Sequence, residues 1–112
     1  MTYIWHMEFI ETRRFSDVLY DYLAEDSYQE LQISLIERLD QGDIIPGGGG
    51  IRKLRFAAQG KGKRGGVRVI YYWVTKAGQI YMIALYPKGR KDNLTDAEVA
   101  ELRSLAKEIR HG

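Results

Sequence analysis

The chain has no cysteine among its 112 residues. That excludes a disulfide-stapled scaffold, a thiolate metal site and a cysteine nucleophile together. Histidine is nearly as scarce. His6 and His111 stand close to opposite ends, which argues against a His-rich metal cluster and a two-histidine ribonuclease. No apolar run approaches the ~18 residues that a membrane span needs. The opening MTYIWHMEFIETRRF has no basic region followed by a long apolar stretch, so no leader is expected. Hydrophobic residues make up 45% and charged residues 29% of the chain, enough for a packed core. The expectation is one cytoplasmic domain over residues 1–112.

The most telling absence is of one sign of charge. No acidic residue occurs between Ile44 and Lys91, whereas that stretch holds 11 of the 17 Lys and Arg residues. The segment before it carries 10 acidic and 3 basic residues, and the segment after it 5 acidic and 3 basic residues. The formal charges of the three segments are −7, +11 and −2, although the net charge is only +2. A merely solvated surface intersperses its signs; segregation on this scale points to a surface that faces a polyanion.

What is present reads as alternating periodicities. Tyr3–Glu11 is rich in aromatic and β-branched residues and predicts a strand. Thr12 is positioned to cap a helix to about Ala24, with Phe15, Val18, Leu19, Tyr22 and Leu23 at helical spacing. Ser27 with Glu30 reads as a capping box for a second helix carrying Leu31, Leu35, Ile36 and Leu39, closed by Gly42. The run PGGGG at 46–50 reads as a flexible link that reverses the chain.

The period then becomes two. IRKLRFAA (51–58), VRVIYYWVT (67–75) and QIYMIALY (79–86) are strands of an antiparallel meander, the second nearly all apolar and therefore central. Alternation puts Lys53 and Arg55 on the opposite face from Leu54 and Phe56. GKGKRGG (60–66) is a hairpin loop, Lys76–Gly78 a tight turn and 87–93 a polar loop. Thr95 and Glu98 form a capping box that opens a last helix bearing Val99, Leu102, Leu105, Ala106 and Ile109. The order β-α-α-β-β-β-α describes an α+β fold with helices packed against an antiparallel sheet.

GKGKRG matches G-x-G-x-x-G literally, but it lies between two strands with no helix after it and no acidic residue before Asp92. The dinucleotide reading therefore fails, and a basic loop whose backbone amides, Lys61, Lys63 and Arg64 reach a phosphate chain fits better. All carboxylates lie outside the basic segment, so a carboxylate-driven hydrolase or two-metal nuclease is disfavoured. Arg68, inside VRVIYYWV, is the oddest residue. An unpaired guanidinium is costly to bury, so it is either paired in the core or open to a cleft, and the lack of nearby acids favours the cleft.

Such cations are able to cut RNA without a metal. The ribose 2′-OH is a tethered nucleophile; it needs in-line positioning, a proton acceptor and positive charge over the phosphorane. Crowding lowers a lysine's pKa towards that of a usable base, while arginine stays charged. Tyr71, Tyr72, Trp73 and Tyr81 suit core packing better than base stacking; Tyr86, beside Pro87 and Lys88, is the best stacking candidate. The other readings are a non-catalytic RNA- or ribosome-binding module, and an interaction protein whose basic face docks an acidic partner.

The run IRKLRFAAQGKGKRGGVRVIYYW (51–73), then IALYPKGRKDNLT (83–95) and a closing helix, resembles the RelE/HigB toxin superfamily, in particular its HigB-like branch. The resemblance extends over essentially the whole chain. It implies the RelE-like microbial ribonuclease fold and a toxin that cuts translated mRNA in the ribosomal decoding site without a metal or other cofactor. It also implies a cognate antitoxin, often with a helix-turn-helix domain, through which the complex binds its own operator DNA. By the resemblance, Arg68 meets the scissile phosphate, and Lys53 and Arg55 are the paired basic residues that include the general base in some members. Lys88 and Lys91 match the family's basic residues after the last strand, Arg90 between them is positioned to close the same wall of the cleft, and the 60–66 loop is expected to hold RNA backbone. RelE has a tyrosine after the last strand where this chain reads DNLT, and Tyr86 is the expected substitute.

Overall fold

The computed structural model describes residues 7–57, 66–89 and 93–111. Its elements are β1 (Glu8–Glu11), α1 (Arg13–Tyr22), α2 (Glu25–Glu37), β2 (Asp43–Ile44), β3 (Arg52–Phe56), β4 (Val67–Val74), β5 (Gln79–Pro87) and α3 (Asp96–His111). The strands form one sheet in the order β1-β5-β4-β3-β2, with the nearly all-apolar β4 at the centre, as its composition predicts. β1 runs parallel to β5 and the other pairs are antiparallel. The two-residue β2 and the parallel edge are additions to the expected meander.

Each face of the sheet has its own core. Phe15, Leu19, Leu31 and Leu35 of α1 and α2 pack on Leu54, Val69, Tyr71, Ile80 and Met82. Ala106 of α3 packs on the other face against Ile45, Ile51, Ile70, Tyr72 and Ile83. Fully burying such side chains contributes roughly 1.5–3 kcal/mol each. Opposite the Ile70–Tyr71 step the β4–β5 register skips Ile83, and this bulge puts both Ile83 and Ala84 towards α3. No described helix is long and apolar enough to cross a membrane.

Local signals set some boundaries and packing sets others. The Thr12 hydroxyl accepts from the Phe15 amide at 3.1 Å and donates to the Ile83 carbonyl at 2.8 Å, so the expected cap also ties α1 to β5. The Thr95–Glu98 box forms reciprocally, at 3.1 and 2.8 Å.

The Ser27–Glu30 box does not form. α2 starts two residues earlier, after Ala24, with no side-chain cap, and Ser27 is buried. Docking of Leu23, Tyr28 and Leu31 into the core fixes the start, and Glu25 and Asp26 meet the positive end of the helix dipole. Nor does Gly42 close α2. The helix ends at Glu37, and the Gln41 side-chain amide donates to the carbonyls of Ser34 and Arg38 at 2.9 and 3.1 Å.

PGGGG is a clamped turn rather than a flexible link. Gly48 donates to Ile45 at 2.9 Å, while Arg103 and Arg110 of α3 donate to the carbonyls of Gly47 and Gly49 at 3.0 and 3.1 Å. At Gly49, φ is +74° and a Cβ would sit 3.0 Å from that of Ala106. Only glycine meets both conditions, a left-handed backbone and a helix against it.

Candidate active site

Cross-strand register builds the site. On β3 and β4, Arg55 stands directly opposite Arg68, and Lys53 opposite Ile70; Arg68 in turn faces Tyr86 on β5. Directly opposed residues share a face, so Lys53, Arg55, Arg68 and Tyr86 all lie on the α3 side. α3 covers Ile51, Ile70 and Tyr72 there. The end of the sheet with the cations remains open.

The opening consists of two adjoining clefts. One, of about 480 Å³, is lined by Gln41, Gly42, Asp43, Lys53, Leu54, Arg55 and Arg68. The other, of about 240 Å³, is lined by Arg55, Phe56, Ala57, Arg68 and Lys88. Arg55 and Arg68 belong to both and form the partition. Like charges directly opposite one another in a sheet are destabilising, and among the described residues no carboxylate forms an ion pair with Arg68. A phosphate between the two guanidiniums would relieve that repulsion and accept several charge-assisted hydrogen bonds.

Tyr86 is half-buried beside Arg68 and also lines an apolar pocket of about 220 Å³ under the first turns of α3. The other aromatics pack as expected. Tyr71 and Tyr72 are buried, the Tyr81 hydroxyl donates to Gln79, and Trp73 stacks on Tyr71 at 6.3 Å. Lys61, Lys63, Arg64, Arg90 and Lys91 lie outside the described residues.

Arg52 belongs to the basic run but not to the site. It projects to the opposite face, 5.2 Å from the Trp73 ring centroid, and donates to the Gly42 carbonyl at 2.7 Å. Tyr71 completes this clamp: its hydroxyl donates to the Leu39 carbonyl at 2.6 Å and accepts from the Gly42 amide at 3.0 Å. Burial raises the Tyr71 phenol above its ordinary value, against the opposing pull of the Gly42 amide and the Arg52 charge. Among the described residues, no three His, Asp or Glu side chains gather where one ion could be held.

One expectation is overturned. The cleft does contain a carboxylate, Asp43, opposite Lys53 in the β2–β3 register. Separation in sequence from the basic segment does not keep it away, because the hairpin returns it. The signal was there: a hairpin centred on Gly48, the middle of PGGGG, pairs residue 43 with residue 53.

A sequence model for the family described as RelE toxin of the RelE/RelB toxin–antitoxin system matches residues 22–111. The free-state structure of an E. coli RelE toxin carrying two arginine-to-alanine substitutions is similar at a TM-score of 0.52 and 14% identity, covering 92% of this chain and 96% of that one. At that identity the likeness concerns the fold, and it is the same α+β arrangement. An archaeal RelE–RelB complex from Pyrococcus horikoshii OT3 matches at a TM-score of 0.44 and 20% identity, over 76% of this chain and 98% of that one.

Proposed function

The chain belongs to the RelE toxin family of toxin–antitoxin systems, and from that premise we propose that it is a ribosome-dependent mRNA endoribonuclease that arrests translation. The observation that carries this reading is the opposed pair Arg55–Arg68 on the open end of the sheet, with Lys53 and Lys88 in the flanking clefts.

A messenger phosphate on the two arginines gains charge as it becomes pentacoordinate, and the paired guanidiniums stabilise that charge more than they stabilise the ground state. The nucleophile is the adjacent 2′-OH, so the products are a 2′,3′-cyclic phosphate and a 5′-hydroxyl. The cations of the cleft do the work that a metal does in other nucleases. Lys53 and Arg55 are the paired basic residues among which the resemblance places a proton acceptor in some members of the family. Tyr86, next to Arg68, stacks on a flanking base, and Lys61, Lys63, Arg64, Arg90 and Lys91 hold RNA backbone. The ribosomal decoding site supplies the in-line geometry that a small, shallow cleft lacks.

The natural counterpart is an antitoxin, expected to carry a helix-turn-helix domain and to bring the complex to operator DNA. A single-domain toxin acting on ribosomes works in the cytoplasm.

The test is induced expression of the wild type and of Arg68→Ala, followed by mapping of 5′ ends on translated messages. The wild type leaves new 5′-hydroxyl ends and stops growth; Arg68→Ala does neither. A binding module without catalysis would stop translation and leave no new ends. Full toxicity of Arg68→Ala would remove the site assignment.

A further inference from the structure

The two clefts differ in what stands at their far ends. Asp43 and Lys53 line the one, Lys88 lines the other, and Arg55 and Arg68 lie between. In-line displacement at phosphorus needs the attacking and leaving oxygens on opposite sides of the phosphate. A phosphate on the arginine pair would therefore have a carboxylate on one side and an ammonium on the other.

The backbone leading into Asp43 is held in place. Asp43 sits in a strand of two residues at the edge of the sheet, where the ladder alone fixes little. The residue before it is nevertheless anchored from below on both backbone groups: the Gly42 amide by the Tyr71 hydroxyl, the Gly42 carbonyl by the Arg52 guanidinium. A Cβ on Gly42 would lie 2.9 Å from the Lys53 carbonyl oxygen and from the Tyr71 ring. A buried network on one face thus sets the position of an exposed carboxylate on the other. A carboxylate accepts a proton as it stands, whereas an ammonium must first lose one.

We propose, resting on the endoribonuclease reading, that Asp43 is the general base and Lys88 the general acid of the cleavage, acting on opposite sides of a phosphate held by Arg55 and Arg68. The 2′-O–H bond breaks and its proton passes to the Asp43 carboxylate as the 2′-oxygen bonds to phosphorus. The P–O5′ bond breaks, and the departing 5′-oxygen takes a proton from the Lys88 ammonium. The cyclic phosphate forms with no water consumed, and later exchange with solvent resets both groups. Lys53, opposite Asp43, then remains a cation beside the carboxylate. Among the described residues, Lys53, Arg55 and Arg68 are the charged groups that share the cleft with Asp43, and Arg52 and Asp40 flank Gly42 from the other side.

The experiment is single-turnover cleavage of a message on purified ribosomes at the position mapped with the wild type, across pH. Removing a general base or acid lowers a rate by about 10²–10⁴-fold. Asp43→Asn is expected to lose at least 100-fold while ribosome binding persists, and to lose the acid-side fall in rate that the wild type shows. Asp43→Glu recovers part of the rate. Asp40→Asn, which alters a nearby carboxylate outside the cleft, behaves as the wild type.

A message with sulfur in place of the 5′-bridging oxygen separates the two roles, because a thiolate leaves without a proton. Lys88→Met is slow on the oxygen substrate and fast on the sulfur one; Asp43→Asn is slow on both. If the wild type cleaves and Asp43→Asn stays within about threefold of it, or keeps the acid limb, the base assignment is wrong. If Lys88→Met gains nothing from sulfur, the acid assignment is wrong. A wild type that yields no ends removes the enzyme reading itself, which is a different failure.

Discussion

Arg52 and Arg55 are three residues apart on one strand and belong to different parts of the protein. Arg52 lies under the sheet against Trp73, with the carbonyls of Asp40 and Gly42 as acceptors at 3.3 and 2.7 Å. Arg55 lies above it, across from Arg68, at the end that α3 leaves open. Both are cations in a strand, and both came from the same basic run. The first organises backbone; the second faces solvent with another positive charge beside it. Charge density in a sequence therefore marks a candidate surface, and the partners that the fold supplies decide which charges remain available to a ligand.

The sharpest way to break that comparison is to remove one arginine from each side. Arg68→Ala should lower single-turnover cleavage by about 10²–10³-fold, the range for loss of one preorganised charge stabiliser. Its unfolding free energy should stay within about 0.5 kcal/mol of wild type or rise, since it relieves repulsion with Arg55. Arg52→Met should do the reverse. It should lose about 2–3 kcal/mol in urea unfolding through the charged hydrogen bond and the Trp73 contact, and keep its cleavage rate at temperatures where it is folded, less whatever Asp43 loses in position. If both variants lose activity alone, or stability alone, the two faces are not distinct in the way the geometry says.

Tyr71→Phe sharpens the same contrast at a smaller scale. It leaves the Gly42 amide and the Leu39 carbonyl without their buried partner, at about 1–3 kcal/mol. The phenol also reports on pH. Burial raises Tyr71, and it raises Tyr28 still more, where the Glu11 carboxylate that accepts the Tyr28 hydroxyl at 2.7 Å adds to the effect. Folded phenols with raised values keep protons that the unfolded chain gives up. Stability is thus fully present below the unfolded value of about 10 and falls as pH rises above it. Urea midpoints measured from pH 8 to 11 should decline above about 10 in the wild type, and less steeply in Tyr28→Phe and Tyr71→Phe. A flat wild-type profile would remove the assignment.

The sequence showed the elements whose signals are local. Thr12 and the Thr95–Glu98 pair act within one turn of helix, and alternation in IRKLRF separates Lys53 and Arg55 from Leu54 whatever the strand pairs with. The central position of β4 follows from its apolar run. Signals that depend on distant packing misled. Ser27 satisfies a capping pattern, but the core draws it inside the helix. The glycines of PGGGG look loose until α3 lies on them and its two arginines bind their carbonyls. The common face of Lys53, Arg55 and Arg68 was legible because β3 and β4 both alternate. Asp43 was harder to read, because its place comes from the register of a two-residue strand, and its one signal is the centring of the 46–50 turn on Gly48.

The smallest expected effect concerns α3, which caps the closed part of the upper face and contributes no residue to either cleft. Thr95→Ala removes one half of an exposed capping box and should cost about 1 kcal/mol. Thr12→Ala removes a hydroxyl that bonds both the Phe15 amide and the Ile83 carbonyl, two groups in different elements, and should fall at or above the upper end of that range, about 2 kcal/mol. Cleavage per folded molecule should be unchanged in Thr95→Ala, because the reacting groups sit on β2, β3 and β4 and just after β5. A loss of rate larger than the loss of folded protein would mean that the start of α3, with Leu94 and Leu102 beside Tyr86, helps to hold the substrate, and the upper face would then be one functional surface rather than a core with a cleft at its end.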